Sequence, residues 1–283
     1  MNKKVLLMVA HHKNDPFLNI SKKFFFPIQV GKAINDIELN IQGDDEGDNI
    51  SIKNKSFCEL TAYYYAWQNM NYEYIGLMHY RRIFTNKYFL IDQVIEKIKY
   101  YIKHVLNCFY FKRLDLFFST VVTINNKDKL ISMSKDLNKF LESNLDKYDI
   151  VVPKKRTFRY LNMEEQFSLK HCTNDWIIFE KIVQDKYPYL EKSFNIVKKQ
   201  KSFYTFNMFI MKNDLYKNYM KILFDILFTM EKKVELIERT PYQTRLYGFL
   251  SERFLNVYIH YLLNKNIGIK IKELNCVFID LDE

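Results

Sequence analysis

SFCELTAYYYAWQNMNYEYIGLMHYRR, residues 56–82, reads as a helix, a turn and a buried strand that ends in polar and cationic side chains. Ser56 followed by Glu59 has the spacing of a capping box, in which hydroxyl and carboxylate each satisfy an orphan backbone N–H. Phe57, Leu60, Tyr64 and Trp67 recur at helical spacing and give one apolar face. Asn69 to Asn71 interrupt that pattern, and Tyr74 to Met78 form a short apolar run expected as a strand buried on both faces. Its carboxyl end carries His79, Tyr80, Arg81 and Arg82. In open α/β sheets ligands bind outside the carboxyl ends of strands, and two adjacent arginines there suit an anion.

Toward the amino end, Val5 to Ala10 reads as another buried strand, with His11, His12 and Lys13 at its end. These three stand either near a nucleoside or as plain loop residues. Pro27 to Val30 is expected as a strand. The loop at residues 43–49, GDDEGDN, offers oxygen ligands for a hard cation but lacks the spacing of a calcium loop. A solvated acidic loop is the simpler explanation.

Toward the carboxyl end, Ile91 to Phe109 carries an apolar stripe with Lys97, Lys99, Lys103 and His104 off it. The pattern fits a basic amphipathic helix on an anionic membrane face, or a helix packed on the core. A helix at 127–145 leads to a strand at 149–152 and to the cations Lys154, Lys155 and Arg156. Asp175 stands beside Thr173 and Asn174 near a helix start. Phe203 to Met211 reads as one buried strand, 214–230 and 243–263 as helices, and the alternation of Ile267, Ile269 and Ile271 as a final edge strand.

With 283 residues, 48% of them hydrophobic, the chain can bury a large core. Its 6 Gly and 5 Pro, without repeats or low-complexity tracts, favour one domain over residues 1–283 with a helical insertion at 89–125. The charge of +10 favours anionic partners such as nucleotide phosphates or an acidic membrane face. No aromatic-basic nucleic-acid motif is present. Four scattered cysteines suggest neither a disulfide frame nor a zinc site, so a reducing cytoplasm is expected. The apolar run near the amino end is short for a signal peptide, and no segment approaches the roughly 18 apolar residues of a spanning helix.

The segment DNISIKNKSFCELTAYYYAWQNMNYEYIGLMHYRR resembles the signature of bacterial capsular-polysaccharide and O-antigen glycosyltransferases, a family first catalogued as a domain of unknown function, with galactofuranosyltransferase-like members. FNMFIMKNDLYKNYMKILFDILFTMEKK and YQTRLYGFLSERFLNVYI resemble its later blocks. The resemblance implies an α/β fold of the Rossmann-like glycosyltransferase A type. It also implies transfer of a sugar from a nucleoside-diphosphate donor, read as UDP, to a growing capsular or lipopolysaccharide glycan in the cytoplasm or peripherally on the inner membrane. In most A-type enzymes an Asp-x-Asp motif holds a divalent metal at a central strand end. Here His79-Tyr80-Arg81 fills that place, which points to a metal-independent site with no cofactor beyond the co-substrate. On this reading Arg81 and Arg82, with His79 and Tyr80, hold the diphosphate. His11, His12 and Lys13 lie near the nucleoside, and Asp48, Asn49 and Lys55 near the donor sugar or phosphates. Lys154, Lys155 and Asn207 contact the acceptor. Glu252 stands in the block that supplies the catalytic base, with Asp175 in reserve; alternatively Glu252 pairs with Arg253 or Arg245 and only orients its helix. Two other readings are a non-catalytic nucleotide- or sugar-binding module and a metal-dependent transferase using the acidic loop at 44–48.

Overall fold

The computed structural model describes residues 4–15, 18, 25–87, 90–265 and 268–280. Strands β1 (Val5–His11), β2 (Phe25–Gln29) and β3 (Gln42–Gly43) are followed by helices α1 (Asn54–Phe57) and α2 (Leu60–Asn69) and by strands β4 (Tyr74–His79) and β5 (Arg82–Thr85). Next come α3 (Leu90–Leu106), β6 (Phe117–Phe118), β7 (Val122–Ile124), α4 (Lys127–Ser143), β8 (Ile150–Pro153) and β9 (Arg156–Phe158). Helices α5 (Met163–Lys170), α6 (Thr173–Lys186) and α7 (Glu191–Val197) lead to β10 (Ser202–Phe203) and β11 (Phe209–Lys212). The chain continues through α8 (Asn213–Glu231), α9 (Pro241–Thr244) and α10 (Leu246–Asn264) to β12 (Ile271–Ile279).

The architecture is α/β, and its sheet is mixed. Strands β3, β2, β1 and β4 run parallel to one another. Beyond β4 the sheet is mixed, because β11 and β5 both lie antiparallel to it while β12 and β8 run parallel to each other. The pairings β4–β5, β5–β12, β12–β8, β8–β11 and β11–β4 close on themselves, so this half of the sheet curls into a ring rather than continuing as an open sheet. A smaller antiparallel sheet joins β10, β9 and β6. The period of two along a strand divides the core. From β1, Leu6, Met8 and Ala10 enter the cluster that contains Tyr63, Trp176, Tyr219 and Phe254, whereas Val5, Leu7 and Val9 enter the cluster with Leu130, Met133 and Leu137 of α4. Helices therefore cover both faces, as the continuous apolar runs of β1 and β4 require.

Several sequence expectations change in detail. The helix expected from Ser56 is broken at Cys58, whose φ is +53°, and no capping box forms. The Ser56 hydroxyl donates instead to Lys53 O (3.2 Å), and Glu59 accepts from Asn207 Nδ2 (2.8 Å). The expected strand from Phe203 to Met211 is two strands, because side chains satisfy the backbone between them. Tyr204 N donates to Asn256 Oδ1 and Asn256 Nδ2 returns to Tyr204 O (2.8 and 2.9 Å), while Tyr63 Oη donates to Asn207 O (3.0 Å). The final strand is β12, between β8 and β5 rather than at an edge; Ile267 of the expected alternation lies outside the described residues. The segment 89–125 holds α3 and also β6 and β7, one in each sheet. Among the described residues no helix is long and apolar enough to cross a membrane.

Gly76 sits where β4 meets β11, and a Cβ there would stand 2.4 Å from Phe209 O and 2.9 Å from Ile210 Cα. Backbone cannot swing aside as a flexible side chain can, so Gly76→Ala is expected to lower stability by about 1–3 kcal/mol, the scale of core overpacking. Chemical denaturation checks this, and unchanged stability would mean that β11 is not held this close.

Candidate active site

A cleft of about 590 Å³ opens beyond the carboxyl ends of β1 and β4. Ala10 and His12 line it from β1 and the residues after it, and Leu77, His79, Arg81 and Arg82 from β4 and the turn into β5. Arg156, the segment 205–208, and Arg245, Phe249 and Glu252 close the other sides. The turn arises because β4 and β5 form a hairpin in which His79 pairs with Arg82, so Tyr80 and Arg81 alone reverse the chain. Arg82 consequently begins a strand and its guanidinium is held against the wall.

Positive charge dominates the cleft. The Arg82 guanidinium lies over the rings of Phe206 (4.9 Å) and Phe278 (5.8 Å), and that of Arg156 lies over Phe206 (4.5 Å) and over Phe117 (4.8 Å). Such ring contacts orient a guanidinium but leave its donors open. Among the described residues, Arg81, Arg82 and Arg156 make no ion pair and no side-chain hydrogen bond, and the Nε of Arg156 is buried without a partner. Burial and then the nearby Arg82 lower the Arg156 pKa to about 10. An anion placed between these guanidiniums would offset both effects. Arg245 is tied differently, its Nε donating to Cys58 Sγ (3.3 Å).

Two carboxylates face these cations. Glu252, on α10, accepts from Arg253 Nη1 (2.9 Å), yet its side chain keeps 21% of its surface exposed. Burial pushes its pKa up to about 7; Arg253 opposes the rise and Glu59 adds to it. A carboxyl group balanced near neutrality can accept or hold a proton under working conditions. Glu59 is fixed through Asn207, whose amide also donates to Gly248 O (2.9 Å) and whose Oδ1 accepts from Ser251 (2.8 Å). Asn207 thus lines the cleft with its own polar atoms already engaged. Burial, with Arg82 beside it, lowers the His79 pKa to about 2, so the ring is neutral. Its Nδ1 accepts from Arg81 N (3.2 Å), which leaves the hydrogen on Nε2.

Of the residues singled out in the sequence, the structure brings His12, His79, Arg81, Arg82, Asn207 and Glu252 together in the cleft. Tyr80 is buried beneath it, its ring 4.5 Å from His79 and 5.3 Å from His12. His11 is buried and its Nδ1 meets Asp15 Oδ2 (2.5 Å). Lys13 and Lys55 are exposed and outside the lining. Asp48 and Asn49 belong to the loop pinned by Asn69, Asp45 and Gly47. Lys154 is half-buried beside β12, and Lys155 lies over Tyr204 (5.0 Å). Asp175 is held bidentately by Arg239, on Nη1 and on Nη2 at 2.9 Å, away from the cleft. Sequence reasoning assigned no site role to Arg156, Arg245 or Glu59. Arg156 stood in the flagged Lys154–Arg156 run, whereas the spacing of Glu59 from Ser56 pointed to a cap.

The acidic loop is organised by hydrogen bonds. Asp44 is fully buried and accepts from Gly31 N (2.9 Å), Lys32 N (3.2 Å) and Ser51 Oγ (2.5 Å). Among the described residues no three His, Cys, Asp or Glu side chains gather as a metal site.

Comparison with known proteins places this geometry. A family model described as a domain of unknown function, DUF4422, matches residues 6–265. No curated protein matches. The solved apo structure of WbbM, a bifunctional glycosyltransferase, is similar with 27% identity and a TM-score of 0.79. The similarity covers 98% of this chain and 46% of that one, so this chain spans under half of WbbM's length.

Asp175, with 2% of its side chain exposed, and Arg239 form a largely buried pair. Asp175→Ala leaves the guanidinium uncompensated and is expected to lower stability by about 3–5 kcal/mol. Chemical denaturation of the variant and the wild type reads the loss. A stable variant with lost turnover would instead place Asp175 in the chemistry.

Proposed function

The chain belongs to the DUF4422 family, and from that premise we propose that it is a glycosyltransferase moving a sugar from a nucleoside-diphosphate donor to a hydroxyl of a growing surface glycan. One observation carries this reading: three guanidiniums without carboxylate partners, Arg81, Arg82 and Arg156, converge in the same cleft as Glu252. Similarity to half of a bifunctional glycosyltransferase supports the same class of reaction.

The chemistry follows from these groups. Arginines pair with phosphate oxygens through charge-assisted, often bidentate hydrogen bonds. As the bond between the anomeric carbon and the diphosphate oxygen breaks, negative charge grows on the leaving group, and fixed cations stabilise it. Glu252 takes the proton of the acceptor hydroxyl as that oxygen bonds to the anomeric carbon. The rings of Tyr242 and Phe249, 5.0 Å apart on the cleft wall, offer apolar faces to a sugar. A divalent metal does not suit the donor set at the end of β4: His79 Nδ1 already accepts from Arg81 N, and the neighbouring groups are cations. The 44–48 loop contributes no residue to the cleft lining, so no step is routed through it.

UDP binding measured by calorimetry is expected to weaken by roughly 1.5–3 kcal/mol in each of Arg81→Ala, Arg82→Ala and Arg156→Ala, the scale of a hydrogen bond to a charged group. Uridine, which lacks the phosphates, is expected to bind all variants alike. Equal UDP affinity in all of them would remove the diphosphate assignment, and donor hydrolysis by the wild type separates a transferase from a binding module.

Glu252 supplies a pH test. A base must be deprotonated, so kcat/KM is expected to rise with pH through a limb near 7. Glu252→Gln is expected to abolish the limb and cut turnover by about 10²-fold or more, with UDP binding retained. The raised folded value has a second consequence: above the ordinary value of 4.5 an unfolded chain has lost this proton and the folded chain has not. Stability is therefore expected to fall as pH rises from 4.5 to 7, and less so in Glu252→Gln. Near-normal turnover in Glu252→Gln would exclude it as the base.

A further inference from the structure

Helix α3 is packed inside out. Its polar side faces the protein: Gln93 Nε2 donates to Asn275 Oδ1 (3.4 Å), His104 Nδ1 lies 3.0 Å from Tyr160 Oη, and the Tyr100 ring meets Phe118 at 5.8 Å. Where the helix ends, Asn107 is buried and its Nδ2 donates to Arg113 O (2.9 Å). The opposite side carries Ile91, Val94, Ile98, Ile102 and Val105 at helical spacing, all exposed, with Ile91 at 76%. Beyond the helix Phe109 and Tyr110 are exposed at 74% and 78%. Single exposed apolar residues are ordinary, but a continuous stripe of them over several turns marks a surface that meets something apolar.

We propose that this face lies on an anionic phospholipid surface, with the isoleucine stripe at the level of the acyl chains. The flanks of the stripe identify the occupant. Lys97 and Lys103 are exposed beside it, and Lys112 follows the exposed aromatics. Lys99 and Arg113 lie there too but are paired with Glu96 (2.9 Å) and Asp115 (3.1 Å), so Lys97, Lys103 and Lys112 supply the net positive rim. A rim of lysines around an apolar face matches anionic headgroups around acyl chains. A second copy would bring the same lysines against themselves on a chain already at +10. None of these residues lines the cleft, so the inference stands apart from the nucleotide-sugar reading.

Vesicle flotation of the full chain tests it, with vesicles of phosphatidylcholine alone or mixed with phosphatidylglycerol. The chain is expected to float with the mixed vesicles and not with phosphatidylcholine, and added salt is expected to release it. Ile98→Asp with Ile102→Asp is expected to weaken vesicle binding by at least about tenfold, and each of Lys97→Gln and Lys103→Gln by roughly fivefold. Thermal unfolding checks the variants; should the aspartate pair fail to fold, the lysine variants decide. Absence of vesicle binding, or binding that neither set of variants weakens, overturns the proposal. So does a dimer, seen by sedimentation velocity without vesicle binding, that the aspartate pair dissolves.

Discussion

Strand β4 has to satisfy three neighbours with two edges. Along one edge residues 74–79 pair with β1; along the other, residues 74–77 pair with β11 and His79 pairs with β5. The handover happens within one residue, and the close approach of β11 is permitted because Gly76 has no side chain. At the handover the sheet parts, and the backbone between β10 and β11 turns away to bond with Asn256 and Tyr63 instead of with a strand. The cleft is that parting. Its position follows from backbone pairing, and its chemistry from the side chains delivered there.

Those side chains form an unbalanced set. Arg82 and Arg156 sit on one phenylalanine ring, and their mutual repulsion is relieved only partly by Glu252, which is itself held near neutrality by burial. Unpaired ionisable groups with shifted pKa values gathered in one cleft are the pattern of a functional site more than of a structural ion-pair network. The same burial that lowers Arg156 raises Glu252. One low-dielectric pocket therefore shifts both groups, the guanidinium down and the carboxyl up. Cys58 contributes to the shape: its positive φ separates α1 from α2 and lets Glu59 reach Asn207 rather than a helix end.

The parts legible in the sequence were local. β1 and β4 are buried on both faces, so each shows as an unbroken apolar run, and the polar cluster from His79 to Arg82 follows because a strand end is where such a run stops. Arg156 and Glu59 were visible as residues but not as partners. Their roles come from long-range packing around Phe206 and Asn207, which no spacing encodes. The segment Phe203–Met211 is apolar enough for one strand; the Asn256 side chain and the Tyr63 hydroxyl, both distant in sequence, divide it. β12 differs for a related reason: the alternation at 267–271 suggests an edge, whereas Leu274 and the apolar run Cys276 to Ile279 enter the middle of the sheet.

Helix α3 shows the limit of periodicity most plainly. The spacing of its isoleucines establishes a face, but a period says nothing about which side of a helix meets the protein. That choice is made by Gln93, Tyr100 and His104, whose partners Asn275, Phe118 and Tyr160 come from β12, β6 and the turn after β9. β6 in turn pairs with β9, and its Phe117 lies under the Arg156 guanidinium. The outward stripe and the cleft are thus joined by one short antiparallel sheet. If the stripe rests on lipid, Arg156 is the cleft residue most directly braced against that surface.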